Sequence, residues 1–146
     1  MQGLRSWVTE SQTIHPMIDL LPVEAWALIQ KDPSALFVDV RMEIESLYVG
    51  RPPGVVNIPW YEYPELMPQP ETFVASVRAL VQDASRPVVL ICRSGKRTVD
   101  AALALEAAGF SHVVNVLHGF EGDLDDDFHR STRNGWRFDQ LPWEQL

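Results

Sequence analysis

Four short runs of apolar residues, rich in valine and isoleucine, constrain the fold of this chain more than any other feature. Each run is nearly continuous in apolar character, which is typical of strands buried on both faces of a parallel sheet. A shorter run at residues 17–20 predicts one more strand. The four longer runs lie within residues 34–40, 55–58, 87–91 and 112–117.

Segments with helical periodicity alternate with these runs. Residues 22–31 begin with a proline, which the first turn of a helix accepts readily. Residues 71–84 place their apolar side chains on one face, and residues 98–108 are rich in alanine and leucine and stop before Gly109. This alternation predicts an α/β fold with a central parallel sheet of about five strands and helices on both faces.

The length of 146 residues fits one domain of ordinary size. We expect residues 17–122 to form this domain, after an N-terminal segment of residues 1–16. Residues 123–146 are a C-terminal extension rich in aromatic side chains, which predicts that it packs on the domain. Its large aromatic residues include Trp136, Phe138 and Trp143.

Charge and hydropathy limit the classes of partner. The net charge of −8 argues against nucleic acid, because phosphate backbones are bound by basic surfaces. No apolar run approaches the roughly 18 residues of a membrane helix, and residues 1–16 lack the apolar centre of a signal peptide. We therefore predict a cytoplasmic protein that binds neither nucleic acid nor membrane, as a monomer or a homodimer.

Cys92 is the only cysteine, which excludes an internal disulfide and a cysteine-based zinc site. It follows the apolar run of residues 87–91, and five residues separate it from the predicted helix. Ligands of open α/β sheets bind at the carboxyl ends of the strands, and the N–H groups of a helix N-terminus favour anions. The loop after Cys92 therefore predicts a site for an anion, and no ligand cluster in the sequence predicts a metal.

Three cations lie in this loop, Arg93, Lys96 and Arg97, although the chain has only 12 basic residues. Gly95 allows the positive φ that lets such a loop curl. A buried apolar cysteine would be the ordinary interpretation of Cys92. It does not explain the cations and the glycine, whereas a reactive thiolate does, because electropositive surroundings favour the thiolate.

The residues around Cys92 resemble the active-site loop of rhodanese-like domains. Two other segments resemble that family's motifs, in the same order along the chain, and the match runs from about residue 22 to residue 122. The matching residues are Asp39-Val40-Arg41 with Gly50 and residues 54–59, the loop at residues 92–98, and Gly109-Phe110 with residues 113–117 and Gly119-Phe120. The resemblance implies the family's three-layer sandwich of helices around a parallel sheet.

The same resemblance implies a sulfurtransferase. The Cys92 thiolate would attack the outer sulfur of a donor such as thiosulfate, releasing sulfite and leaving a persulfide on the cysteine. A thiophilic acceptor, either cyanide, a thiol or a protein cysteine, would then take the sulfur. Such covalent catalysis divides one difficult transfer into two steps and needs no cofactor or metal beyond the persulfide.

Roles for the neighbouring residues follow from the resemblance. The backbone N–H groups of residues 93–97 would hold the outer sulfur, and the three cations would attract the donor and stabilise the departing sulfite. Thr98 would cap the helix or hydrogen-bond the sulfur, and capping is the simpler interpretation. The expected donor-binding residues are Arg93, Ser94, Gly95, Lys96, Arg97 and Thr98. Asp39 and Arg41 are expected to form a structural ion pair that anchors the loop.

Three alternatives stay open at this point. A cysteine phosphatase or arsenate reductase would also bind an anion in such a loop, but the phosphatase pattern needs five residues between cysteine and arginine, and Arg97 comes one position too early. A non-catalytic binding module would not need Cys92. A dedicated sulfur carrier would share the chemistry and differ in its acceptor. Departures from the family pattern at Ser46, Leu47 and residues 51–54 bear on specificity.

Overall fold

The computed structural model describes residues 16–146, and within this range five strands form one sheet in which every pair is parallel. The strands are β1 (Ile18–Leu20), β2 (Leu36–Asp39), β3 (Val56–Asn57), β4 (Val88–Ile91) and β5 (Val113–Val116). Their order across the sheet is β1-β5-β4-β2-β3, so β4 lies at the centre. The predicted parallel sheet, including the short first strand, is confirmed. Of the predicted N-terminal segment, residues 1–15 lie outside the described residues.

Three α-helices and one π-helical turn connect these strands within the described residues. They are α1 (Pro22–Lys31), the π turn (Glu45–Val49), α2 (Pro70–Leu80) and α3 (Arg97–Ala107). The sequence predicts the bounds of α1 correctly but extends α2 to residue 84. The helix ends earlier because the backbone at Val81 is extended and the Asp83 carboxylate accepts hydrogen bonds from the backbone N–H and hydroxyl of Ser85. Such local hydrogen bonds compete with a helix.

The two faces of the sheet carry separate clusters of buried apolar side chains. Successive side chains of a strand point to opposite faces. Leu90 and Cys92 accordingly pack with residues of α2 and α3, whereas Val89 and Ile91 pack with residues of α1 and of the C-terminal extension. The predicted arrangement of helices on both faces is confirmed. The helices do not cover the carboxyl edge of the sheet, where the loops that follow the strands lie.

The C-terminal extension covers part of the α1 face. Trp136 is fully buried, with its ring centroid 5.5 Å from those of both Trp26 and Phe37, and its indole N–H donates to the Pro142 carbonyl at 2.7 Å. A pair of backbone hydrogen bonds joins Arg51 to Glu144. These contacts make the extension part of the apolar cluster on the α1 face of the sheet. None of the helices within residues 16–146 combines the length and hydrophobicity that crossing a membrane requires.

Candidate active site

Cys92 lies directly after β4, at the carboxyl edge of the central strand, and α3 begins five residues later. Its side chain points to the α3 face, and the residue is only 1% exposed. The sulfur therefore sits beneath the loop of residues 93–96 rather than on the open surface.

The sulfur faces two groups of its own loop and helix. The Gly95 N–H donates a hydrogen bond to Cys92 Sγ at 3.2 Å, and Thr98 Oγ1 lies 3.7 Å from Sγ. Gly95 has a φ of +97°, the conformation for which a glycine was predicted here. The prediction that Thr98 caps the helix is wrong. The N-cap residue of α3 is Lys96, and no side chain caps the helix. The Thr98 hydroxyl faces the sulfur instead.

The three cations of the loop differ in their surroundings. Arg93 and Lys96 are exposed, and Ser94 is half-buried. Arg97 is engaged by Glu45 of the π turn, with Nη1 2.7 Å from Oε1 and Nη2 3.0 Å from Oε2. Its guanidinium carbon also lies 5.4 Å from the centroid of the Tyr61 ring. The ion pair between Arg97 and Glu45 therefore holds the loop against the π turn. The other two cations, Arg93 and Lys96, face solvent.

Sequence reasoning missed Glu45, because no local pattern links it to a residue 52 positions away. Burial by itself would raise the pKa of Glu45, but the hydrogen bonds and charge of Arg97 outweigh it and lower that pKa. Burial would likewise lower the pKa of Arg97, and its hydrogen bonds to Glu45 raise it instead. Both partners are accordingly ionised at neutral pH.

We expect Glu45→Gln to destabilise the protein at neutral pH and to make little difference in acid. The folded-state pKa of Glu45 is lowered, so its ionised form contributes stability above its ordinary pKa of 4.5. This contribution is lost as the pH falls through the lower folded-state value. Urea denaturation across the acid range should show the gap in unfolding free energy between wild type and variant narrowing below pH 4.5. A gap that does not change with pH would contradict this assignment.

Asp39 and Arg41 form a buried ion pair at the end of β2, the strand next to β4. Arg41 donates through Nε to Oδ1 at 2.8 Å and through Nη2 to Oδ2 at 2.6 Å, and both side chains are fully buried. The same Nη2 donates to the carbonyl of Gly50, and the guanidinium lies 4.7 Å from the ring centroid of Phe120. The pair therefore joins three segments of the carboxyl edge.

A turn after β5, residues 117–122, holds the backbone of the Cys92 loop from the other side. The Phe120 N–H donates to the Cys92 carbonyl at 2.8 Å, and the Glu121 N–H donates to the Arg93 carbonyl at 2.9 Å. Gly119 has a φ of +64°, and a side chain there would collide with the Cys92 carbonyl. The backbone N–H of Trp136 in turn donates to the Gly119 carbonyl at 2.9 Å. The C-terminal extension thus supports this turn, and the turn supports the loop.

Several known proteins are similar to this chain. A family profile described as Rhodanese-like domain matches residues 21–125. The crystal structure of Rv0390 from M. tuberculosis is 38% identical, with a TM-score of 0.76, over 88% of this chain and 97% of that one. Thiosulfate sulfurtransferase GlpE of Actinobacillus succinogenes is 28% identical, over 71% of this chain and 81% of that protein. Putative sulfur carrier protein YrkF of Bacillus subtilis is 33% identical, over 62% of this chain and 42% of that protein.

Proposed function

This chain belongs to the rhodanese-like domain family, and we propose that it is a sulfurtransferase that carries sulfane sulfur on Cys92 as a persulfide. The surroundings of the sulfur are the observation that carries this proposal. Cys92 Sγ accepts a hydrogen bond from the Gly95 N–H and lies next to the Thr98 hydroxyl. Both groups can donate to a negatively charged sulfur without moving.

The first step is attack of the Cys92 thiolate on the outer sulfur of thiosulfate. A sulfur–sulfur bond forms at Cys92 as the sulfur–sulfur bond of thiosulfate breaks, and its electron pair leaves with sulfite. The charge is conserved, because a thiolate and a dianion become a persulfide anion and a sulfite dianion. The backbone N–H groups of the loop favour the persulfide, which extends the anion by one sulfur atom.

The second step returns the enzyme to its starting form. A nucleophilic acceptor attacks the outer sulfur of the persulfide, and the electron pair of the breaking bond returns to Cys92 as a thiolate. Cyanide becomes thiocyanate by this step, and a thiolate acceptor becomes a persulfide. The two steps together make a ping-pong cycle without a cofactor.

The position of Arg97 argues against a phosphatase. A transferring phosphoryl group needs cationic or N–H donors around its oxygens, and both terminal nitrogens of Arg97 are bonded to Glu45. Hydrolysis of an aryl phosphate at a rate that depends on Cys92 would contradict the proposed sulfur transfer as the main activity.

Thiocyanate formation from thiosulfate and cyanide tests the proposal, together with the intact mass of the protein after each reactant is added. We expect thiosulfate to add the mass of one sulfur atom at Cys92 and cyanide to remove it as thiocyanate. The absence of both the added mass and thiocyanate would contradict the proposal. A stable added sulfur that cyanide removes slowly would favour a dedicated carrier, the alternative that the similarity to a putative sulfur carrier supports.

Removing the exposed charge of Lys96 should weaken the use of thiosulfate. We expect Lys96→Ala to lower kcat/KM for thiosulfate about threefold to tenfold, because one charge close to a dianion is lost. The loss should shrink as ionic strength rises, since salt screens exposed charges.

Lys31→Ala is the matched control for this variant. Lys31 is exposed at the end of α1, a helix that returns from β1 to the amino edge of the sheet and so ends far from Cys92. We expect its kcat/KM to stay within about twofold of wild type. Equal losses in both variants would contradict a local role for Lys96.

A further inference from the structure

Glu45 and Arg97 are joined more completely than surface ion pairs usually are. Both carboxylate oxygens and both terminal guanidinium nitrogens take part, and the two side chains are 13% and 14% exposed. The carboxylate also accepts a hydrogen bond from the Met42 N–H at 3.0 Å. Bidentate pairing of this kind fixes both partners in one geometry.

The pair lies at the end of the Cys92 loop, where α3 begins. Arg97 is the first residue of α3, two positions from Gly95 whose N–H meets the sulfur. Burial and Glu45 have the largest effects on the pKa of Arg97, and the charge of Cys92 is a smaller cause that also raises it. An uncompensated Arg97 would therefore attract any anion that reaches the sulfur.

Glu45 weakens that attraction, because the negative charge of the bound carboxylate offsets much of the positive charge of the guanidinium. The cations that remain for a donor are Arg93 and Lys96, which are exposed and screened by water. Within residues 16–146 neither of them forms an ion pair. The loop thus presents a weaker positive field than its sequence suggests.

We propose that Glu45 is a positioning residue that sets the charge of the preferred donor: by neutralising Arg97, it favours singly charged sulfane-sulfur donors over the thiosulfate dianion. The donor class it fits is a thiosulfonate or an organic persulfide that carries one negative charge at the reacting end. This inference rests on the proposed sulfur transfer through Cys92 and concerns only the choice of donor.

Two donors with the same reacting group and different charge test the inference. Thiosulfate carries two negative charges, and methanethiosulfonate carries one. Each gives its outer sulfur to the Cys92 thiolate, and the electron pair of the broken bond leaves with sulfite or with methanesulfinate. The measured quantity is the ratio of kcat/KM for thiosulfate to kcat/KM for methanethiosulfonate, with cyanide as the acceptor in both assays.

Four variants separate charge from structure. Glu45→Gln leaves the pair with one positive charge, and we expect the ratio to rise about threefold to tenfold. Arg97→Gln leaves one negative charge, and the ratio should fall by a similar factor. The double variant Glu45→Gln with Arg97→Gln has no net charge at the pair, so its ratio should return to within about twofold of wild type. Glu45→Asp keeps the charge and is expected to keep the ratio.

A merely structural role gives a different pattern. If the pair only holds the loop in place, each variant loses activity with both donors in parallel, the ratio does not move, and the inference is overturned. If Glu45→Gln does not fold, Arg97→Gln tests the inference alone. A fall in its ratio supports the inference, and an unchanged ratio overturns it. A wild-type protein that gains no sulfur on Cys92 from either donor overturns the proposed function itself, which distinguishes that failure from an unchanged ratio.

Discussion

Replacing Cys92 with serine is expected to lower thiocyanate formation by at least about a thousandfold, because a serine hydroxyl is not ionised at neutral pH and is a poor nucleophile toward sulfur. The fold should survive the change. The two side chains differ by a single atom, and the hydroxyl can keep the contact with Thr98 Oγ1 that the sulfur makes at 3.7 Å. Steady-state turnover and the urea midpoint of the same samples measure both expectations.

Cys92→Ala is the control for residual chemistry at this position. It removes both the nucleophile and the hydrogen-bonding atom, so its turnover should be as low as that of the serine variant. We expect the unfolding free energy of either variant to change by no more than about 1–2 kcal/mol. Turnover that survives in both variants would show that the sulfur is carried elsewhere, and the intact mass after thiosulfate treatment would reveal the added atom.

Replacing Asp39 with alanine is expected to destabilise the protein by about 3–5 kcal/mol, the usual effect of leaving one buried charge without its partner. Asp39 and Arg41 are both fully buried, and the carboxylate accepts hydrogen bonds from Nε and Nη2 of the guanidinium. Without the carboxylate, Arg41 would keep its charge and lose its strongest partner. Urea denaturation at neutral pH measures the loss.

The pair between Arg51 and Glu144 is the matched control for this prediction. It also joins an arginine to a carboxylate, but at 3.6 Å and with side chains that are 27% and 55% exposed. Glu144→Ala should therefore cost no more than about 1 kcal/mol. Equal losses in the two alanine variants would contradict the view that burial makes the difference.

Local sequence patterns account well for the elements of this fold. The apolar runs predict the strands, and the proline and apolar spacing of α1 predict both of its ends, because each depends on neighbours within one or two turns of chain. The end of α2 depends instead on a hydrogen-bonding choice at Asp83 that periodicity does not record. Local patterns also predict the position of Cys92 at a strand end.

The partners of the loop cations could not be predicted in this way. Arg97 looks like a free cation in the sequence because its carboxylate lies 52 residues away. The two meet because β2 and β4 are neighbours in the sheet, so the loops that follow them share one edge. Strand order is a property of the whole fold, and it determines which of the three cations is paired with a carboxylate and which two face solvent.

The turn after β5 has a consequence for the direction of the peptide dipoles around Cys92. The carbonyls of Cys92 and Arg93 already accept hydrogen bonds from the N–H groups of Phe120, Glu121 and Gly122. A peptide flip that aimed either oxygen at the sulfur would break these bonds, so these two carbonyls stay directed at the turn. The orientation of these two carbonyls in the Cys92 loop is thus fixed by a turn that follows a different strand, β5. A side chain at Gly119 would meet the Cys92 carbonyl, so a substitution in this turn would alter the loop without any change within the loop itself.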